Sequence, residues 1–172
     1  MAASELRTLY DGWARHNDLL VDVVEKLTPE QLALRPAHGQ WSVWQLAGHV
    51  AGARAYWFHD RMGEGDPALR DRFRMDHTTV PDLPIEDAGW EDDEDHPRTG
   101  EELADALRST WSMMAECFDR WTPEDLLVGF TSRSGWVTTR AWVIWHLIEH
   151  DVHHGGAISV ILGSHGLPAL DL

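Results

Sequence analysis

Three histidines spaced four residues apart, His146, His150 and His154, stand in the segment TTRAWVIWHLIEHDVHHGGAISVILG. On a helix they share one face, and imidazoles one turn apart can hold a divalent ion together. With His150 at 0° and about 100° per residue, Val143, Leu147, His154 and Ile161 fall at about 20°, 60°, 40° and 20°. Two imidazoles therefore lie inside an apolar stripe, where each needs a hydrogen-bond partner or a metal. Spacing alone is a weak signal, because eleven histidines in 172 residues produce about 0.7 such pairs by chance, against the two present. His146 and His154 are about 12 Å apart along the axis, too far to share an ion with His150. A third ligand has to come from another helix, and His49 in AGHVAGA is the candidate, with glycine and alanine leaving room around it. Three imidazoles and an open position describe a catalytic site rather than a structural one. The alternative is a set of core histidines satisfied by hydrogen bonds.

Other chemistries fit less well. HDVHH matches the zinc-protease pattern HExxH with aspartate for glutamate. Asp151 is short for a general base, no downstream glutamate follows, and position 160 is valine where another protease class needs histidine. Cys117 lies beside Met114 and Phe118 on a core stripe and reads as an inert core thiol. His153 is off the stripe and reads as a surface or supporting hydrogen-bonder. His146, at the edge of the stripe, is a candidate for substrate contact. In the first helix an apolar layer is expected between Trp13 and Leu20, yet the chain has His16 and Asn17. Either that layer faces something polar, which makes Trp13 and His16 further substrate-contact candidates, or it is exposed at a helix edge.

Four helices have to position these residues. Leu6, Trp13, Leu20 and Leu27 recur every seven residues and predict a helix over 4–27. TPEQ from Thr28 forms a capping box, and a second helix begins near Ser42 with Leu46, Val50, Ala53 and Trp57 as its apolar face. Thr99 caps a third helix running to Trp121, with Leu103, Leu107, Trp111, Met114 and Phe118 on one side. The fourth runs from about Thr138 to between Gly163 and Gly166. It carries a second apolar face, Trp145, Ile148 and Val152, which predicts burial against a partner chain or against the crossover. The connection over 63–100 holds the run EDAGWEDDED, with no basic residue between Arg74 and Arg98, and reads as a solvated crossover. Its length frees the third helix to run parallel to the second. No alternating run is long enough to predict a sheet. The expected architecture is all-α, one domain over 1–172, a four-helix bundle with a long crossover between helices 2 and 3.

Composition narrows the function. A net charge of -15 and a pI near 4.9 repel phosphate backbones and anionic bilayers, which excludes nucleic acid as a partner. No stretch approaches a membrane helix; AWVIWHLI is interrupted by His146. One cysteine excludes an internal disulfide, and MAASELRTLYDGW lacks the pattern of a secretion signal, so a cytoplasmic protein is expected.

WSVWQLAGHVAGA, followed about a hundred residues later by HLIEHDVHHGG, resembles the DinB/YfiT-like superfamily of metal-binding four-helix bundles. The likeness extends to WARHNDLL and LGSHGLP and so covers nearly the whole chain. Matched residue by residue, the family's three ligands fall on His49, His150 and His154. The resemblance implies an up-down-down-up bundle, a homodimer, and one divalent ion between helices 2 and 4. Zn is the default, with Ni, Fe or Cu also suited to imidazole. It implies a small-molecule substrate and a thiol cosubstrate: characterised branches include S-transferases using mycothiol or bacillithiol, a thiol-dependent isomerase and hydrolase-like enzymes. The family's Arg-Gly-Gln after the paired histidines is replaced by Gly155, Gly156 and Ala157. The isomerase's extra C-terminal domain with its catalytic arginine has no counterpart in this sequence, so isomerase activity is not expected. A metal-dependent low-molecular-weight-thiol S-transferase is the leading expectation. The alternatives are a hydrolase using activated water and a non-catalytic metal- or small-molecule-binding stress protein.

Overall fold

The computed structural model describes residues 5–74, 89–131 and 135–171. Among the described residues the seven α-helices are α1 (Glu5–Leu9), α2 (Asp11–Val24), α3 (Pro29–Leu32), α4 (Val43–Tyr56), α5 (Pro67–Arg72), α6 (Gly100–Arg120) and α7 (Arg140–Ser164). Local chemistry sets most of their starts. Thr28, Ser42 and Thr99 each accept from the backbone N–H three residues on, while Gln31, Gln45 and Glu102 reach back to the cap's N–H. These reciprocal boxes satisfy donors that a helix start otherwise leaves orphaned. Thr139 caps α7 through Trp142 N–H.

The helix expected over 4–27 is divided at Tyr10, whose φ of -102° and ψ of 18° depart from helical values, and α2 ends at Val24. Position 4 lies outside the described residues. A π-helical turn, Trp57–Arg61, prolongs α4. A short antiparallel hairpin corrects the expectation of no sheet: β1 (Gly129–Thr131) pairs with β2 (Val137–Thr139), Phe130 opposite Thr138. Three residues per strand are too few for alternation to show in sequence.

Long-range contacts set the helix directions. Trp13 meets Trp111 and Glu25 meets Arg108, so α2 and α6 are antiparallel. Gly48 faces Leu103, Arg54 donates to the Leu107 carbonyl, and Phe58 packs on Phe118, so α4 and α6 run parallel. His49 meets His150 and Trp57 meets His146, so α7 returns antiparallel to α4. This is the expected up-down-down-up arrangement.

Two apolar clusters fill the bundle. Leu20, Val50, Leu107 and Ile158 belong to one, and Trp13, Phe58, Met114 and Leu147 to the other. Each long helix contributes a buried polar residue between them: Asn17, Arg54, Thr110 and Asp151, none more than 1% exposed. His16 and Asn17 therefore face a polar layer inside the bundle and are not exposed at a helix edge.

The crossover departs from the solvated reading where it is described. A 3-10 turn, Trp90–Asp92, lies against α4 with Trp90 and Glu91 buried. Trp90 packs on Phe73, donates to the Arg72 carbonyl, and lies under the guanidinium of Arg98. A turn that buries a tryptophan is anchored, whatever the charge of its neighbours. The remainder of the acidic run, up to position 88, lies outside the described residues. Among the described residues no helix is long and apolar enough to cross a membrane.

Candidate metal centre

Helix α4 presents His49 and α7 presents His150 and His154, and one ring nitrogen from each lies within 4.8 Å of the other two. His150 and His154 are one turn apart, with ring centroids 4.4 Å apart. His49 reaches them from the antiparallel helix, where Gly48 and Gly52 keep the α4 backbone close to its neighbours. Trp41, at the entrance to α4, covers the group, its ring 4.6 Å from that of His49 and 6.2 Å from that of His154.

The inward nitrogens of His49 and His150 are both Nε2, 2.9 Å apart. Two imidazole lone pairs at that separation repel unless a proton or a cation lies between them. Burial, reinforced by His150 and His49, pushes the His154 imidazole down to about 3, so it offers a lone pair and no charge at neutral pH. Three imidazole nitrogens converging in this way fit a divalent ion of the zinc type.

Carboxylates stand behind two of the rings. Glu91 Oε1 is 2.5 Å from His49 Nδ1. Asp151 Oδ1 is 3.6 Å from His150 Nδ1, beyond hydrogen-bonding distance, and neither of these two atoms has another partner among the described residues. Asp151 is otherwise committed to the core. Its Oδ2 accepts from Trp13 Nε1 at 2.6 Å and from Arg54 Nε and Nη2 at 2.9 and 2.7 Å. Arg54 Nη1 donates to Asn17 Oδ1 at 2.7 Å. Burial pushes the Asp151 carboxyl up, but the adjacent guanidinium and its hydrogen bonds hold it below the usual carboxylate range. A carboxylate neutralised by an internal arginine cannot serve as the base of a protease site, which agrees with setting that reading aside.

A cavity of about 280 Å³ opens beside the histidines, lined by His49, His150 and Glu91 and, farther along, by His146, Tyr56 and Trp57. His146 thus faces the space where a substrate would sit, its ring stacked on Trp142. Burial, with His150 nearby, depresses its pKa. Trp13 and His16 do not line this cavity. They belong to the polar layer behind the site, with His16 Nε2 3.2 Å from the Asp151 carbonyl. Gly155 makes space for His16, since a Cβ there would stand 2.9 Å from its ring. Cys117 is 1% exposed and burial pushes its thiol up to about 11, so it is no nucleophile. His153 is exposed. Ile148 is half-buried against the second cluster, whereas Trp145 and Val152 are 65% and 51% exposed. The described residues of the chain leave Trp145 and Val152 on this face uncovered.

Sequence reasoning missed Glu91, Trp41 and Arg54. Glu91 was hidden among seven acids in ten residues, and only the apolar Trp90 beside it signalled an anchored turn.

Fold and site together define a class: antiparallel helices of a four-helix bundle bring three histidines to one point beside a cavity. The chain belongs to the DinB family, whose profile matches residues 1–171. It is similar in fold to a DinB-like protein from Bacillus cereus (20% identity, TM-score 0.68, covering 100% of this chain and 99% of that one). A conserved protein from Enterococcus faecalis is also similar (20% identity, TM-score 0.64, covering 94% and 99%). No functionally curated protein shows significant similarity to the chain.

Proposed function

We propose that the chain, as a single DinB-like domain, is a divalent-metal-dependent enzyme transferring a low-molecular-weight thiol of the mycothiol or bacillithiol type to a small electrophile. The observation that carries this reading is the convergence of His49, His150 and His154 beside a cavity that His49 and His150 line together with His146, Tyr56 and Trp57. When bound, a divalent ion, with Zn the first candidate, supplies Lewis acidity that lowers the pKa of an arriving thiol or water. The chain's residues do the rest. His49, His150 and His154 offer ring nitrogens from helices α4 and α7, and Trp41 lies over the rings of His49 and His154. Arg54 fixes Asp151 and with it the local position of α7. Tyr56, Trp57 and His146 provide flat ring faces for the electrophile, with Gly52 and Ala53 between them and the Arg70 guanidinium also at the wall. No side chain at the site is a competing nucleophile, since Cys117 lies in the core. Such thiols are kept reduced in the cytoplasm, the location this reading requires.

The test is turnover by Zn-loaded protein supplied with mycothiol or bacillithiol and a small alkylating electrophile. The expected result is product formation that needs both thiol and ion and is lost in His150→Ala. Product formed from water with no thiol response would make it a hydrolase. A bound ion without any turnover would leave a binding protein. The exposed α7 face of Trp145, Val152 and Val160 is our assignment for a homodimer contact, and sedimentation velocity giving a strict monomer at high concentration would refute it.

A further inference from the structure

We propose that Glu91 is a positioning residue for the histidine site, one that couples the ion to the crossover turn. The inference rests on the metal-site reading above but concerns a residue outside the three histidines and outside the bundle helices.

Glu91 is 8% exposed, and its Oε1 lies 2.5 Å from His49 Nδ1. An ionised carboxylate can only accept, so Nδ1 carries the hydrogen and donates. In the neutral imidazole that places the lone pair on Nε2, the nitrogen that faces His150. A ligating histidine is oriented in this way when a carboxylate holds its other nitrogen.

The second observation is the other oxygen. Glu91 Oε2 is buried and has no hydrogen-bond partner among the described residues. A half-satisfied carboxylate is costly in the interior, and positive charge beyond the imidazole would offset that cost. The seat of the carboxylate depends on residue 89 having no side chain, because a Cβ on Gly89 would stand 2.4 Å from Oε2.

The turn's backbone is fastened independently. Gln45 Nε2 donates to the Glu91 carbonyl at 2.6 Å, and Trp90 packs on α4 at Gly48. The Glu91 side chain can therefore be altered while the turn stays in place. Coupling is reciprocal: if Glu91 favours ion binding by some factor, the ion favours the seated turn by the same factor.

The experiment measures Zn affinity by competition with a chromophoric chelator, for the full chain and for Glu91→Ala, Glu91→Gln and Gly89→Ala. Glu91→Ala is expected to bind Zn about 10- to 100-fold more weakly. Glu91→Gln, whose amide oxygen still accepts from Nδ1–H, should recover part of that loss. Gly89→Ala should weaken binding by displacing the carboxylate without removing any ligand. Hydrogen exchange gives a second readout. Zn should slow exchange at the Asp92 and Asp93 amides, which bond to the Gly89 and Trp90 carbonyls, and should do so less in Glu91→Ala. A purely structural role would lower the thermal midpoint of the metal-free variant and leave both readouts unchanged. A folded Glu91→Ala protein with wild-type Zn affinity overturns the proposal and leaves the metal site standing, whereas a wild-type chain that binds no Zn overturns both. Should Glu91→Ala not fold, long-range ¹H–¹⁵N correlations on the wild-type chain decide: an Nε2–H tautomer at His49 in metal-free protein refutes the assignment.

Discussion

Arg54→Met is expected to destabilise the protein by about 3–5 kcal/mol, because it leaves the Asp151 carboxylate buried without its countercharge. Both side chains are completely buried and their closest atoms are 2.7 Å apart. At the sensitivity of chains of this size, the thermal midpoint should fall by on the order of 10 °C. Methionine fills much of the volume of the arginine stem, so the loss measures charge and hydrogen bonding more than a cavity. The double variant Arg54→Met/Asp151→Leu should recover part of the loss, since an apolar pair removes the stranded charge. Recovery should be incomplete, because Trp13 Nε1 and Asn17 Oδ1 each lose a partner, and a buried polar group without one costs about 1–3 kcal/mol. Denaturant unfolding of the three proteins checks this. A single variant within about 1 kcal/mol of wild type would show that water or another donor replaces the guanidinium, and that the polar layer does not depend on the pair.

The second large effect is expected from the ion. Wild-type protein purified without an affinity tag should carry about one divalent ion per chain, as read by elemental mass spectrometry, and His150→Ala should carry none. Binding only to the folded state stabilises by RT ln(1 + [L]/Kd), about 4 kcal/mol when free ion exceeds Kd a thousandfold. For a chain of this length that corresponds to a rise in midpoint on the order of 10 °C. A chelator should reverse it, and neither His49→Ala nor His150→Ala should show it. Away from the other two histidines His150 has little to lose, since its Nδ1 has no hydrogen-bond partner among the described residues. Replacing it should therefore change the ion-free protein far less than it changes ion binding. Wild-type protein with no ion and no Zn-dependent shift would return the three histidines to the role of core residues.

Local rules made much of this molecule readable before any tertiary contact was known. A period near 3.6 put His150 and His154 on one face of the same helix, and the pattern of cap and third residue marked Thr28, Ser42 and Thr99 as starts, because those interactions span only three or four residues. The small residues around His49 and the family resemblance singled it out, and the structure brings it to the other two. Periodicity could not say what lies across from what. Arg54 and Asp151 are 97 positions apart and Glu91 and His49 are 42 apart, so each pair exists only once helix direction, rotation and crossover path are all set. Sequence could mark the layer of His16 and Asn17 as anomalous, but whether it met solvent, substrate or a buried arginine depended on how α4 and α7 packed against α2. Glu91 differs from its acidic neighbours in nothing but its place in a turn that Trp90 buries and Gly89 leaves room for. Covalent spacing and hydrogen-bond reach decided the helices and the histidine pair. Close packing of side chains from distant parts of the chain decided which of the remaining polar residues stand behind the site, which line its cavity and which face water.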